Sequence, residues 1–225
     1  MRKTSKAPLI TFMGIDGSGK SSTAVEAAET LTSIFTGLPV HVTDSNGLQI
    51  FYSGEQVAHI APEIESLEPT ANMGRINQIA HLASFAIARR SLNSFHGNGL
   101  HFSVRDPHRI DPAVYAAAYN LPIIGRKSPQ DRLLFFSKLT LARPADMLIH
   151  LAIEPEEARL EDDTDLDVHE DIASLTKVAE ELPVMAKAYA GLFNTQYTVV
   201  QGQSPSTTDH TVDALCSLIQ RSNFQ

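Results

Sequence analysis

The chain is poor in the features that mark several protein classes. It has one cysteine, Cys216, in 225 residues, so no disulfide can form within it. Cys216 sits in a helix-like apolar stripe and reads as core packing, not as a reactive thiol. No apolar stretch approaches the roughly 20 residues that a membrane helix needs. The basic start, Met1 to Lys6, is followed by an apolar run too short for a secretion signal. With the lone cysteine, this predicts a loose tail over residues 1–7 and a cytoplasmic protein. There is no basic excess, so nucleic acid is not an expected partner. The net charge is −8, but residues 154–171 alone carry ten acidic residues and one arginine, a local −9, leaving the rest at +1. The acidity is therefore local and says little about a binding site. His-Glu-x-x-His, Cys/His clusters and the Gly-x-Ser-x-Gly elbow are all missing, which removes support for zinc and acyl-transfer chemistry. Asp163, Asp165 and Asp167 imitate half of a calcium loop, but Val168 stands where its glycine belongs and Ser174 where its final Glu belongs.

What is present begins at Gly14. Gly14-Ile15-Asp16-Gly17-Ser18-Gly19-Lys20-Ser21 fits G-x-x-x-x-G-K-[ST], the phosphate-binding P-loop. An apolar run over residues 9–13 precedes it, as expected of a buried strand. An Ala-rich stretch over residues 21–35, free of Gly and Pro, follows as a helix. Strand, glycine loop and helix N-terminus are the parts of an anion cradle, because backbone N–H groups and the helix end face the phosphate together. Lys20 would reach the β- and γ-phosphates, and the Ser21 hydroxyl would hold Mg²⁺. The guanine-reading Asn-Lys-x-Asp is missing, which argues against a GTPase switch.

Further strands are expected at 40–43, 100–104, 147–153 and 197–200. Helices are expected at 49–60, 72–95, 112–120, 130–142, 172–192 (with Pro183 a kink or a break) and 208–219. The alternation implies a single α/β domain over residues 1–225, a P-loop NTP hydrolase-type three-layer αβα sandwich with a five-stranded parallel sheet.

With these elements in order, the chain resembles the thymidylate kinase family of nucleoside monophosphate kinases. Residues Phe12 to Ser22 are similar to that family's P-loop, with Met13 where Glu is common. Phe85-Ala-Ile-Ala-Arg89 is similar to its F-A-x-x-R, whose i, i+4 spacing puts both residues on one helix face. Asp106 and Tyr115 keep the family's spacing after the third strand, but Pro107 replaces an Arg.

The resemblance implies ATP and Mg²⁺ as cofactors and transfer of the γ-phosphoryl to a small-molecule acceptor, a nucleoside monophosphate and by default dTMP. It implies a nucleotide site of Gly14, Asp16, Gly17, Ser18, Gly19, Lys20, Ser21 and Ser22. Ser21, Asp16 and Asp106 would serve the metal, and Lys20, Asp16 and Asp106 catalysis. Phe85 would stack on the acceptor base and Arg89 would grip its phosphate, with Tyr115 nearby and Arg105 or Arg109 replacing the lost Arg. Read alone, Phe85 is equally ordinary core and Arg89 an ordinary surface cation.

Two departures open the acceptor question. After strand two the family's Arg is replaced by Asp44-Ser-Asn-Gly47, and Asp44 suits a sugar hydroxyl or an amine better than a phosphate. The lid-like stretch 161–170 is acidic and holds no cation. The closing charge would come from Mg²⁺ or from a cation elsewhere, such as Arg126, Lys127, Arg132 or Arg143, with Arg126 preferred among these. A different small acceptor, or a nucleotide-binding protein with little transfer activity, remain alternatives. A homodimer is possible through the Ala-rich helix face.

Overall fold

The computed structural model describes residues 7–44, 47–60, 99–104, 110–140, 143–161 and 172–221. Phe85, Arg89, Arg105, Asp106 and Arg109, the helix expected at 72–95, and all but the first residue of the lid-like stretch lie outside them.

Among the described residues, a sheet of seven strands runs in the order β4-β3-β2-β5-β1-β6-β7. The strands are β1 Leu9–Met13, β2 Val40–Asp44, β3 Gly47–Tyr52, β4 Glu55–Ile60, β5 Leu100–Val104, β6 Met147–Ala152 and β7 Gln196–Gln201. Five of them, β2, β5, β1, β6 and β7, are mutually parallel, which matches the expected core. β3 and β4 extend it as an antiparallel hairpin. The helix expected at 49–60 is therefore these two strands. The cause is the turn: Ser53 (φ 54°) and Gly54 (φ 83°) both take left-handed conformations and join Tyr52 to its partner Glu55 as a two-residue hairpin. The turn is docked on the first helix, where the Gly54 N–H donates to Thr32 Oγ1 at 2.9 Å.

Among the described residues, six helices surround the sheet: α1 Lys20–Ile34, α2 Ile110–Ala118, α3 Pro129–Thr140, α4 Pro155–Glu161, α5 Ile172–Phe193 and α6 Thr207–Arg221. Strand β1 is buried along its whole length, so its alternate side chains feed two cores. Ile10 and Phe12 meet Ala24, Ala27, Ala28 and Leu31 of α1 and Val212, Leu215 and Ile219 of α6. The i, i+3, i+4, i+7 spacing of the α1 residues is what turns one helix face to the sheet. Leu9 and Met13 join the opposite core, with α2, α3 and α5. Pro183 does not break α5, which runs as one helix. Among the described residues no helix is long and apolar enough to cross a membrane.

Strand order places the site. After β1 the chain turns toward the β2 side, whereas β6 is followed by β7 on the other side. The crevice at such a reversal, outside the carboxyl ends of the strands, is where ligands bind in open α/β sheets.

Candidate functional site

Residues 14–20 form a tight loop between β1 and α1. Gly17 (φ 75°) and Gly19 (φ 78°) are left-handed, a conformation that glycine adopts without strain. Gly14 is demanded by close approach: a Cβ there would lie 2.4 Å from Ser18 Oγ and 2.7 Å from the Leu151 carbonyl oxygen. Gly19 caps α1 without a side-chain hydrogen bond, and the first turn holds no acidic residue. The positive end of the helix is thus not neutralised by its own sequence.

Lys20 is buried, and its Nζ donates to the Ile15 carbonyl at 2.5 Å and lies 3.4 Å from Asp16 Oδ1 and 3.5 Å from Ser18 Oγ. The ammonium is thus folded over the loop that would receive phosphate. Ser18 is fully buried, Ser21 half-buried and Ser22 exposed.

A shallow cleft, open to solvent, lies against this loop. Gly14, Ile15 and Asp16 form one wall, Asp111, Val114, Tyr115 and Tyr119 another, and α5 closes it through Ser174, Leu175, Val178 and Leu182. The sequence placed Asp16 and Tyr115 in the site, and the structure brings them to one cavity. Asp111, Tyr119 and Ser174 were missed. Tyr119 had a signal, since it lies i+4 from Tyr115, and the two rings stack with centroids 5.8 Å apart and planes 2° from parallel.

Other expected residues stand elsewhere. Asp44 is buried at the end of β2, where it accepts a hydrogen bond from Gln49 Nε2 at 3.2 Å, and it does not line the cleft. Arg126 is exposed on the turn between α2 and α3, also outside the cleft lining. Arg132 is buried, with one terminal nitrogen on the Gly125 carbonyl at 3.2 Å and the other on Glu181 at 3.4 Å. Arg143 donates to the Ala7 carbonyl and pairs with Asp146 at 3.5 Å. That places it before β1, about 20 Å along the strand direction from the loop.

One buried group beside the loop carried no signal in the sequence. His150 on β6 pairs in register with Met13, and its Nδ1 lies 3.0 Å from the Tyr197 hydroxyl. Burial, aided by the Lys20 charge, pushes its pKa down to about 4. It is therefore neutral near pH 7.

No family model and no curated protein matches the sequence. Among solved structures, the chain is similar to a deoxyadenosine kinase from M. mycoides with products dCMP and a flexible dCDP bound. The TM-score is 0.58 and the identity 13%, over 93% of this chain and 99% of that one. At that identity the likeness shows the fold: a mostly parallel α/β sheet layered with helices, shared with a kinase.

Proposed function

We propose that this chain is an ATP- and Mg²⁺-dependent phosphotransferase whose acceptor is a nucleoside or a close relative. One observation carries the reading. The loop that would cradle the donor phosphates also forms a wall of the cleft in which Asp111, Tyr115 and Tyr119 converge, so donor and acceptor would meet at Gly14–Asp16. Reactions of this kind ask for positioning and charge stabilisation more than covalent chemistry. Lys20 and the loop N–H groups would stabilise the transferring phosphoryl. The tyrosine pair would hold a planar ring, and Asp16 or Asp111 would orient the attacking hydroxyl.

The residues present suit a hard divalent cation, because Ser21 and Asp16 offer oxygen donors near the loop. Bound there, Mg²⁺ would neutralise phosphate charge, with Ser21 holding it and Asp16 and Asp106 ordering its surroundings. Arg126 is proposed as the cation that completes the site on closure. Gly125, its neighbour, is packed so closely on α2 that a Cβ would lie 2.4 Å from the Ala116 carbonyl, which anchors the turn.

The acceptor can be ranked by charge. Asp16 and Asp111 both line the cleft. At 4 Å in an intermediate dielectric each carboxylate repels each unit of phosphate charge by about 4 kcal/mol, a cost that the Lys20 ammonium, 3.4 Å from Asp16, partly offsets at that residue. A neutral nucleoside meets no such penalty, and the solved neighbour is named a deoxyadenosine kinase. The second reading, a nucleoside monophosphate kinase acting on dTMP, rests on the Phe85–Arg89 resemblance.

The test is ATP consumption by the purified protein with Mg²⁺, against nucleosides, nucleoside monophosphates and buffer alone. Stimulation by a nucleoside supports the first reading, and stimulation by dTMP above all others supports the second. ATP binding that no acceptor stimulates would leave a nucleotide-binding protein without transfer activity. Lys20→Ala should abolish turnover, and turnover that survives it defeats the catalytic reading.

A further inference from the structure

We propose that Gln203, on the turn between β7 and α6, is a positioning residue for the donor phosphates: its side-chain amide fixes the Gly17–Ser18 peptide with the N–H facing into the loop. The proposal rests on the donor reading above. The Gly17 carbonyl accepts a hydrogen bond from Gln203 Nε2 across 186 residues of sequence. The described peptides are all trans, so the carbonyl and the N–H of one peptide point in opposite directions. Holding the carbonyl toward Gln203 turns the Ser18 N–H toward the loop interior, where it donates to the Ile15 carbonyl at 3.2 Å, the acceptor that a phosphate oxygen would replace. Glycine at φ 75° is the residue best able to let this peptide flip. Flipped, it would aim a carbonyl oxygen at the phosphate in place of a donor.

Gln203 is itself braced for the task. It takes a left-handed φ of 51°, which a residue with a side chain adopts only when its surroundings impose it. Next to it, Gly202 donates its N–H to the Ala152 carbonyl at 2.7 Å, and a Cβ on Gly202 would lie 3.0 Å from the Ser18 carbonyl oxygen. The turn thus lies against two successive loop peptides. Thr207 locks it from the far side, accepting from the Ser204 N–H at 2.8 Å and donating to the Gln201 carbonyl at 2.7 Å. A strained, braced glutamine whose amide ends on a phosphate-loop carbonyl holds that loop ready for the anion.

The experiment measures ATP·Mg²⁺ affinity by calorimetry on the full chain, for the wild type, Gln203→Met and Gln203→Glu, with melting temperatures and acceptor KM alongside. Gln203→Met removes the donor at nearly constant volume and should weaken ATP about tenfold, leaving acceptor KM within twofold. Gln203→Glu should be weaker still at pH 8, where a carboxylate faces the Gly17 carbonyl. At pH 5 it should regain at least part of that loss relative to wild type, because the protonated acid can donate again. ATP affinity of the Met variant equal to wild type overturns the proposal. So does a Glu variant whose deficit is the same at both pH values, a comparison that stands even if the Met variant melts early. Wild-type protein that binds no ATP overturns the donor reading instead, and this proposal with it.

Discussion

Gly17→Ala and Gly37→Ala form a matched pair that separates two costs. Both glycines are left-handed, at φ 75° and 87°. An alanine in that conformation costs about 1–2 kcal/mol at either site. The surroundings differ. A Cβ at Gly37 meets nothing within 4 Å, whereas one at Gly17 would lie 2.4 Å from the Ala158 carbonyl oxygen and 3.1 Å from its carbonyl carbon. That oxygen belongs to the backbone of α4 and cannot rotate away, so the loop or the helix must move. Forced overpacking of this kind costs about 1–3 kcal/mol more. Any gain from stiffening the unfolded chain is common to both variants and cancels. Gly17→Ala should therefore be less stable than Gly37→Ala by about 1–3 kcal/mol, which for a chain this long is about 2–12 °C in melting temperature. Urea denaturation and thermal melts of the two variants measure the difference. ATP affinity should fall only in Gly17→Ala, because only that loop is displaced. Equal melting temperatures with unchanged ATP binding would refute the apposition of α4 and the loop.

Three other outcomes are expected. Burial, with smaller contributions from His41 and Arg143, pushes the His101 pKa down to about 4, and His150 is pushed down equally far by burial and Lys20. Below pH 6.5 the unfolded chain takes up protons that the folded chain refuses, so stability falls as pH drops from 6.5 to 4, by about 3 kcal/mol per histidine; His101→Gln should remove one such share from the difference curve, and an unchanged slope would contradict it. Glu181→Ala should cost about 2 kcal/mol and Arg132→Met about 1, because the first leaves a buried guanidinium short of its partner while the second leaves only a half-exposed carboxylate; denaturant midpoints in the reverse order would show that the arginine is better solvated than its burial implies. Tyr119→Ala should raise acceptor KM about tenfold through loss of aromatic contact while ATP KM holds, and steady-state kinetics with both substrates varied would expose an effect on ATP instead.

Much of the fold can be read in the chain because its signals are local. The five parallel strands are apolar runs, and Gly14 to Ser21 declares a phosphate loop within eight residues. The hairpin at 47–60 is harder, because β4 is exposed on nearly every residue and so shows no alternation. Its signal lay in the turn, where Ser53-Gly54 is a favoured two-residue pair. Helix α4 is seven residues inside an acidic stretch, yet Pro155 followed by Glu156 and Glu157 is what a helix start prefers. The Gln203 contact has no such trace, since nothing near residue 203 speaks of residue 17.

The two halves of the candidate site differ in legibility for the same reason that they differ in chemistry. Under the proposed reading, phosphate would be held by backbone donors, which any sequence supplies once its glycines permit the turn, so the donor half would be coded by spacing alone. The proposed acceptor half would be built from side chains that three elements bring together: Asp16 on the loop, Asp111, Tyr115 and Tyr119 on or just beyond α2, and Ser174 on α5. Its meaning lies in their sum. Taken singly, Asp111 is a helix-start carboxylate and Tyr119 the end of an apolar stripe. Under the proposed reading, the carboxylates and the stacked aromatic pair converged on one cleft would disfavour a negatively charged acceptor and offer a surface to a planar one. That sum favours a hydroxyl-bearing ring over a phosphate dianion.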